Sequence, residues 1–299
     1  MMLNMIHSID LRFLGLRNTL CAYLVETEQG PVLVETGPHS TLAALEGGVK
    51  KLGYGLDRVR HVFLTHIHLD HAGAAWVLAR KGATIHVHPA GARHLIDPKN
   101  LRRSAERIYE GRMHALWGEI EPLDPGSVVP HGHGESFWVG TTEFVAWHTP
   151  GHASHHVSWQ AGGNLFTGDA GGVKICNGPV IPPCPPPDLD VEQWRESLRL
   201  IRSLKPKRLL ITHFGAVSQV DAHLEELEQR LVAWADWMRP HAERSATTGT
   251  VAPLFERFVR EQLGGNALTG EGLQAYENAS PSWMSAAGLL RYWRKRTGP

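Results

Sequence analysis

Thr65-His66-Ile67-His68-Leu69-Asp70-His71 follows the apolar run Val62-Phe63-Leu64, and residues 66–71 pack three imidazoles and one carboxylate into six positions. Imidazole and carboxylate donors together suit zinc, iron or manganese, and a cluster this dense can serve two ions. On an extended backbone, residues i and i+2 point the same way, so His66 and His68 share a face. Asp70 and His71 then fall where the chain turns into the next helix, and they approach the same cavity from a second direction.

Three later segments repeat the pattern of an apolar strand that stops at a ligand-type residue. They are His148-Thr149-Pro150-Gly151-His152, Phe166-Thr167-Gly168-Asp169 and Ile211-Thr212-His213. Strand ends along one edge of a sheet are where an α/β protein builds its site. Taken alone each segment is weak, because a Gly-Asp after a strand is more often a turn and a strand-end histidine more often a core or rim residue. Their order behind the first cluster makes them a set.

The elements that must position these residues are readable from the apolar pattern. Thr19 to Glu26 and Val32 to Val34 read as strands separated by the Gly30-Pro31 turn, Leu42 to Leu52 as a helix, and Val59 to Leu64 as a short strand feeding the histidines. Ala72 to Arg80 and residues 99 to 120 read as helices, Thr84 to His88 as a strand, and Ser136 to Thr149 and Val157 to Thr167 as two more strands. Asp190 with Gln193 three residues on predicts an N-cap, followed by a helix with Val191, Trp194, Leu198 and Ile201 on one face. Beyond residue 217 the pattern is helical only: Val220, Leu224, Leu227, Leu231, Trp234 and Met238 form a stripe, and Leu254–Val259 and Trp283–Trp293 suggest further helices. The chain therefore divides into an α/β part over residues 1–216 and a helical extension over 217–299.

At 299 residues, with 42% hydrophobic and 20% charged side chains, the chain holds ample core material for one large domain or a domain with an appendage. Thirty basic and thirty acidic side chains give zero formal charge, which argues against a dedicated nucleic-acid or anionic-membrane surface. Cys21, Cys176 and Cys184 are too few and too scattered for a disulfide framework or a cysteine-based zinc knuckle, and their number fits a reducing cytoplasm. No 18-residue apolar stretch and no basic N-terminal region ahead of an apolar one are present, so neither a membrane span nor a signal peptide is expected.

With its ligand-type segments in this order, the chain resembles the metallo-β-lactamase-fold superfamily over about residues 10–216, and within it the hydrolases similar to glyoxalase II. The resemblance implies an α/β fold of αββα type, two sheets back to back between helices, with the site at one edge. It also implies two divalent metal ions, zinc first with iron or manganese as alternatives. His66, His68 and His152 would hold one metal, Asp70, His71 and His213 the other, and Asp169 would bridge them. The C-terminal helices would cap the site. One position departs from the pattern: the family's early strand ends in Asp-Thr-Gly, and this chain has Glu35-Thr36-Gly37. That carboxylate is expected to orient a ligand histidine from behind.

The chemistry implied is hydrolysis of an ester, thioester or lactone by a hydroxide bridging two metals, whose bound water is acidified toward about pH 7. Asp70 would steer that hydroxide as well as bind metal. No Gly-x-Ser-x-Gly elbow offers a serine nucleophile instead. Two rivals remain: an iron oxidoreductase similar to persulfide dioxygenases, with one iron on His66, His152 and Asp169, and a non-catalytic metal-binding protein. The expected partner is a small-molecule substrate rather than nucleic acid or membrane, with homo-oligomerisation left open by the tryptophan-rich C-terminal helices. Among the remaining histidines, His155 and His156 are near enough to His152 to line the pocket or to pack on the sheet. His131-Gly132-His133 reads as a solvated turn, and His86 and His88 as structural. Tyr109, Met113 and Trp117 read as core, and the proline-rich 179–187 segment either walls the site or covers a sheet edge.

Overall fold

A computed structural model describes residues 5–264, 268 and 270–297. Among these residues the strands form two six-stranded sheets. The first contains β1 (Ile6–Asp10), β2 (Cys21–Thr27), β3 (Gly30–Val34), β4 (His61–Phe63), β5 (Thr84–Val87) and β6 (Val128–Pro130), in that spatial order. β1, β2 and β3 make an antiparallel meander, and β3 to β6 run parallel. The second contains β7 (Glu135–Val139), β8 (Thr142–His148), β9 (Val157–Ala161), β10 (Asn164–Phe166), β11 (Arg208–Ile211) and β12 (Gly215–Val217). All its pairs are antiparallel except β10 with β11.

Parallel neighbours require crossover connections, and helices supply them. α1 (Leu42–Lys51) joins β3 to β4, and α2 (Leu69–Ala72) with α3 (Ala75–Arg80) joins β4 to β5. α4 (Pro89–Ile96), α5 (Lys99–Tyr109) and α6 (Met113–Trp117) lie between β5 and β6, and α7 (Val191–Ser203) lies between β10 and β11. Asp190 caps α7, its carboxylate accepting from the Gln193 amide at 2.9 Å as the spacing predicts. The chain ends in α8 (Val220–Glu243), α9 (Thr248–Gln262), α10 (Gly270–Ala279) and α11 (Ser282–Thr297). No helix among the described residues is long and apolar enough to cross a membrane.

Three apolar layers separate these elements. Tyr23, Val25, Phe63, Phe144, Trp159 and Phe166 fill the space between the sheets, where Phe63 stacks on Phe144 with centroids 4.2 Å apart. Alternate residues of the same β2 strand, Ala22 and Leu24, turn to the helices α1 to α6. Burial on both faces explains why residues 20–25 read as an unbroken apolar run instead of alternating with polar ones. The outer face of the second sheet packs on α7, and the same cluster continues through Leu224, Leu231 and Trp234 of α8 into α9, α10 and α11. The arrangement is the αββα sandwich.

Several expected elements are divided. The helix expected over residues 99–120 breaks after Tyr109, where Glu110 takes a left-handed backbone (φ 45°), and resumes as α6. The helix expected over Ala72–Arg80 starts at Leu69 and is interrupted between Ala72 and Ala75. The two long strands expected over 136–149 and 157–167 are hairpins turning at Gly140 (φ 62°) and Gly162 (φ 58°). α4, α10 and β12 carried no clear pattern.

Candidate metal centre

β4 stops at Phe63, and the chain runs on through Leu64 and Thr65 to His66 and His68 before entering α2, which carries Asp70 and His71. His152 lies in the loop after β8, Asp169 in the short helical turn Gly168–Gly171 after β10, and His213 directly after β11. All arrive at the same edge of the sandwich. Two glycines make the approach feasible. At Gly151 (φ 129°) a Cβ would collide with the Trp194 backbone, and at Gly168 (φ 46°) it would collide with Thr65. Only glycine takes such backbone angles without strain.

The side chains gather into overlapping groups, His66 with His68 and His152, His66 with His71 and Asp169, and Asp70 with His71 and His213, each with its donor atoms within 4.8 Å of one another. In the first group, Nε2 of His66 and Nε2 of His152 stand 2.8 and 3.0 Å from Nδ1 of His68. Asp169 faces both groups. Its Oδ2 lies 3.3 Å from His152 Nε2, while Oδ1 lies 3.3 Å from His71 Nε2 and 3.4 Å from His213 Nε2. Asp70 Oδ2 lies 3.5 Å from His213 Nε2 and 3.7 Å from His71 Nε2.

The second ring nitrogen of each histidine decides which atom is offered. His152 Nδ1 donates to the Pro183 carbonyl and His213 Nδ1 to the Thr19 carbonyl, both at 2.9 Å. His71 Nδ1 donates to Glu35 Oε1 at 3.0 Å. His66 Nδ1 lies 3.0 Å from the Thr65 hydroxyl, which itself donates to Glu35 Oε1. In His66, His71, His152 and His213 the Nε2 is thereby left as a lone-pair donor aimed into the centre, while His68 presents Nδ1. Tethering of the remote nitrogen is what fixes a metal-binding imidazole. Glu35, in a left-handed conformation (φ 67°), holds His71 directly and His66 through Thr65, and also accepts from Thr212 Oγ1 at 3.4 Å. The longer glutamate reaches the expected histidine.

These groups are buried, and the electrostatics follow. Burial, then repulsion from His71, His68 and His152, holds His66 well below the ordinary imidazole pKa, and burial with His152 brings His68 to about 4. Burial would also lower His71, but the carboxylates of Asp169, Asp70 and Glu35 outweigh it and raise His71 well above its usual value. Burial would raise Asp169, yet His71, His213 and His152 hold it well below the carboxylate range. An acidic bridge among basic nitrogens is a site built to concentrate positive charge. His71 Nε2, His213 Nε2 and Asp169 Oδ1 are buried without a hydrogen-bond partner, so the residues present fit a metal ion.

Comparison with known proteins gives the same grouping. The family model described as "Metallo-beta-lactamase superfamily" matches residues 21–213. The chain belongs to the metallo-β-lactamase superfamily. It is 31% identical over 229 residues, 74% of this chain and 84% of the relative, to the metallo-β-lactamase fold-containing protein ST1585 of Sulfurisphaera tokodaii. The solved structure of ST1585, described as an archaeal superfamily protein, covers 98% of this chain and 100% of its own, with TM-score 0.68 and 24% identity. A metallo-β-lactamase family protein of Thermus thermophilus, TTHA1429, superposes with TM-score 0.70 at 20% identity, covering 97% of this chain and 93% of its own. A class B3 di-zinc metallo-β-lactamase from an Alaskan soil metagenome shares the fold over 76% of this chain and 90% of its own, with TM-score 0.54 and 17% identity.

A cavity of about 610 Å³ opens over this superfamily site, with His68, Asp70, His152 and Asp169 on its wall. That volume is ordinary for a small-molecule site. Its other walls include residues that sequence patterning assigned elsewhere or missed. Trp117 is buried in the core as expected, with Tyr109 and Met113 packed against the same cluster, and Tyr109 and Trp117 also face the cavity. Within the proline-rich 179–187 segment, Pro183 to Pro187 wall it, while Val180 and Ile181 pack in the core. Phe13, Arg93, Trp283 and Met284 also line it, and no motif marks them. His155 lines the cavity, buried to 8% exposure with Nδ1 unpartnered. His156 is structural: its Nε2 accepts from the Ala170 amide at 3.3 Å and its Nδ1 donates to Thr149 Oγ1 at 2.9 Å, pinning the Asp169 turn.

His131 corrects the expectation of a solvated turn. It is 1% exposed, and its Nε2 pairs with His86 Nδ1 at 2.8 Å, which continues to His61 at 3.0 Å. The flanking His133 is exposed. The buried line forms because β4, β5 and the end of β6 stack these positions on the face that meets the second sheet, where Phe63 stacks on His86 at 4.3 Å.

Proposed function

We propose that the chain is a binuclear metal-dependent hydrolase of an ester, thioester or lactone. The observation that carries the reading is the division of the donors about Asp169, one carboxylate oxygen toward His152 and the other toward His71 and His213. His66, His68 and His152 would hold one divalent ion, Asp70, His71 and His213 the second, and Asp169 both. Zinc fits the imidazole-rich donor set, with iron or manganese as alternatives. Bound there, such a pair supplies a water acidic enough to act as nucleophile near neutral pH and a Lewis acid for the substrate carbonyl.

The chain's own residues do the rest. Asp70 is the carboxylate at the boundary between donor cluster and cavity. Its Oδ2 faces His71 and His213, which leaves Oδ1 to orient the attacking water and accept its proton. The water oxygen adds to the acyl carbon, the C–O or C–S bond breaks, and the leaving oxygen or sulfur takes a proton, giving a carboxylate and an alcohol or thiol. Glu35 and Thr65 keep the His66 and His71 tautomers fixed throughout. Residues 217–299 act as a cap on a catalytic unit spanning 1–216, since Trp283, Met284 and Ser285 of α11 close one side of the cavity.

The test is metal content per chain, by elemental mass spectrometry on protein purified without a metal-binding tag, joined to an ester, thioester and lactone panel. Near two equivalents of divalent metal, with turnover abolished in the folded His66→Ala/His68→Ala variant, is expected. One equivalent of iron with oxygen uptake on persulfide would replace this reading. A single iron on His66, His152 and Asp169 leaves the convergence of Asp70, His71 and His213 without a role.

A further inference from the structure

One part of the cavity wall is a continuous run of aromatic rings. Four aromatic rings from three distant segments follow one another along it. Phe13 stacks on Trp117 (5.6 Å, 18° between planes), Trp117 meets the edge of Tyr109 (5.0 Å), and Tyr109 approaches Trp283 (6.5 Å). Met284 Sδ, 3.7 Å from the Tyr109 hydroxyl, lies beside the same track. At the mouth, Leu14 and Trp283 keep 43% and 40% of their surface exposed, and both line the cavity. Polar groups line it as well: Ser154 Oγ donates to Asp188 Oδ2 at 2.6 Å, Arg93 Nε donates to His94 Nε2 at 3.2 Å, and His155 adds an unpartnered nitrogen, with Arg112, Glu277 and Asn278 elsewhere on the wall.

We infer that the aromatic track binds an unbranched apolar acyl chain, so that the substrate is a fatty acyl ester or thioester whose leaving group is polar. This deepens the hydrolase reading and rests on it for the scissile bond. Successive rings make an elongated, largely apolar surface, whose polar atoms include the Tyr109 hydroxyl, engaged with Met284 Sδ, and the Trp117 indole nitrogen. A methylene chain gains dispersion and burial at every step along it, whereas a compact ring fills one step only. Exposed Leu14 and Trp283 extend the apolar surface to solvent, so the end of a long chain stays covered as it leaves the cavity. Arg93, through its terminal guanidinium nitrogens, and His155, whose ring lies 5.7 Å from that of His68, offer donors to the polar leaving group. Each buried methylene contributes about 0.8 kcal/mol, which corresponds to about fourfold in affinity.

The experiment separates chain binding from turnover. Butyrate, hexanoate, octanoate and decanoate, the carboxylates that acyl hydrolysis would release, are titrated calorimetrically into the protein as purified. The corresponding 4-nitrophenyl esters are assayed in parallel. Affinity rising about fourfold per methylene to at least octanoate is expected, with Trp283→Ala weakening decanoate by about tenfold and butyrate little. Trp283 is exposed enough for that variant to fold, and circular dichroism checks it. Equal affinity across the series, or tighter binding of 1-naphthoate than of octanoate, overturns the acyl track. Chain-length-dependent binding with no hydrolysis of any ester or thioester keeps the track and removes the hydrolase reading. Hydrolysis indifferent to chain length does the reverse.

Discussion

Glu35→Gln is the substitution that reads most directly on how the centre is built. The glutamate side chain accepts from His71 Nδ1, from the Thr65 hydroxyl that holds His66, from the Thr65 amide at 3.3 Å and from Thr212 Oγ1. Glutamine is nearly isosteric. With its oxygen kept toward His71 and the Thr65 hydroxyl, its amide nitrogen faces the Thr65 N–H, donor against donor. One buried donor left without an acceptor costs about 1–3 kcal/mol, measured as loss of stability to urea with chelator present throughout. The more telling quantity is metal affinity. A neutral partner no longer raises the basicity of His71, and loss of such an outer contact lowers metal affinity about 10–100-fold, or about 1.4–2.7 kcal/mol. The assay is residual metal per chain after dialysis against graded chelator concentrations, for wild type, Glu35→Gln and Glu35→Asp. Aspartate keeps the charge and is expected to retain more metal than glutamine. If Glu35→Gln loses stability yet holds metal as tightly as wild type, Glu35 is a structural clamp only, and the argument from ring-nitrogen tethering is wrong.

Further outcomes follow from the same geometry. Burial depresses His223 to about 4, partly offset by its bond to the Gly171 carbonyl, and burial with His131 and His61 depresses His86 to about 2. Both fold as neutral rings, so their stabilising contribution is complete above the unfolded value of about 6.5 and is lost as the pH falls below it. At pH 5 each costs about 2 kcal/mol relative to pH 7.5; urea midpoints should show this, and His223→Gln should flatten its share. Gly151→Ala forces a Cβ against the Trp194 backbone at φ 129°, and thermal melting should show a loss of several kcal/mol; an unchanged melt would mean the loop after β8 yields freely. His156→Ala removes the acceptor that pins Ala170 beside Asp169, and should lower metal affinity, whereas His155→Ala should leave metal content unchanged and alter KM.

What local pattern could establish, it established through short-range periodicity. A strand buried on both faces must be apolar throughout, and residues 20–25 are; a helix packed on one side must repeat at three and four, and α8 does. The spacing of His66, His68, Asp70 and His71 likewise depends only on a strand end running into a helix, so its chemistry is legible without a fold. Breaks inside elements were not legible, because glutamate has no local preference for the positive φ that Glu110 adopts between α5 and α6.

Everything that depends on distance between remote segments was decided by tertiary structure. His213 is oriented by a carbonyl 194 residues away, at Thr19, and Glu35 ties together segments around residues 65, 71 and 212. No periodicity encodes such contacts, since they arise only when the two sheets close on one another and bring their strand ends to one edge. The cavity is the clearest case: Phe13, Tyr109, Trp117 and Trp283 are ordinary apolar residues in their own segments. They become one wall because the segments before β2, around α5 and α6, and at the start of α11 meet at the cavity. The sequence by itself determined the family, the donor types and the apolar layers. The three-dimensional packing decided which nitrogen each histidine presents and what shape of substrate the centre can face.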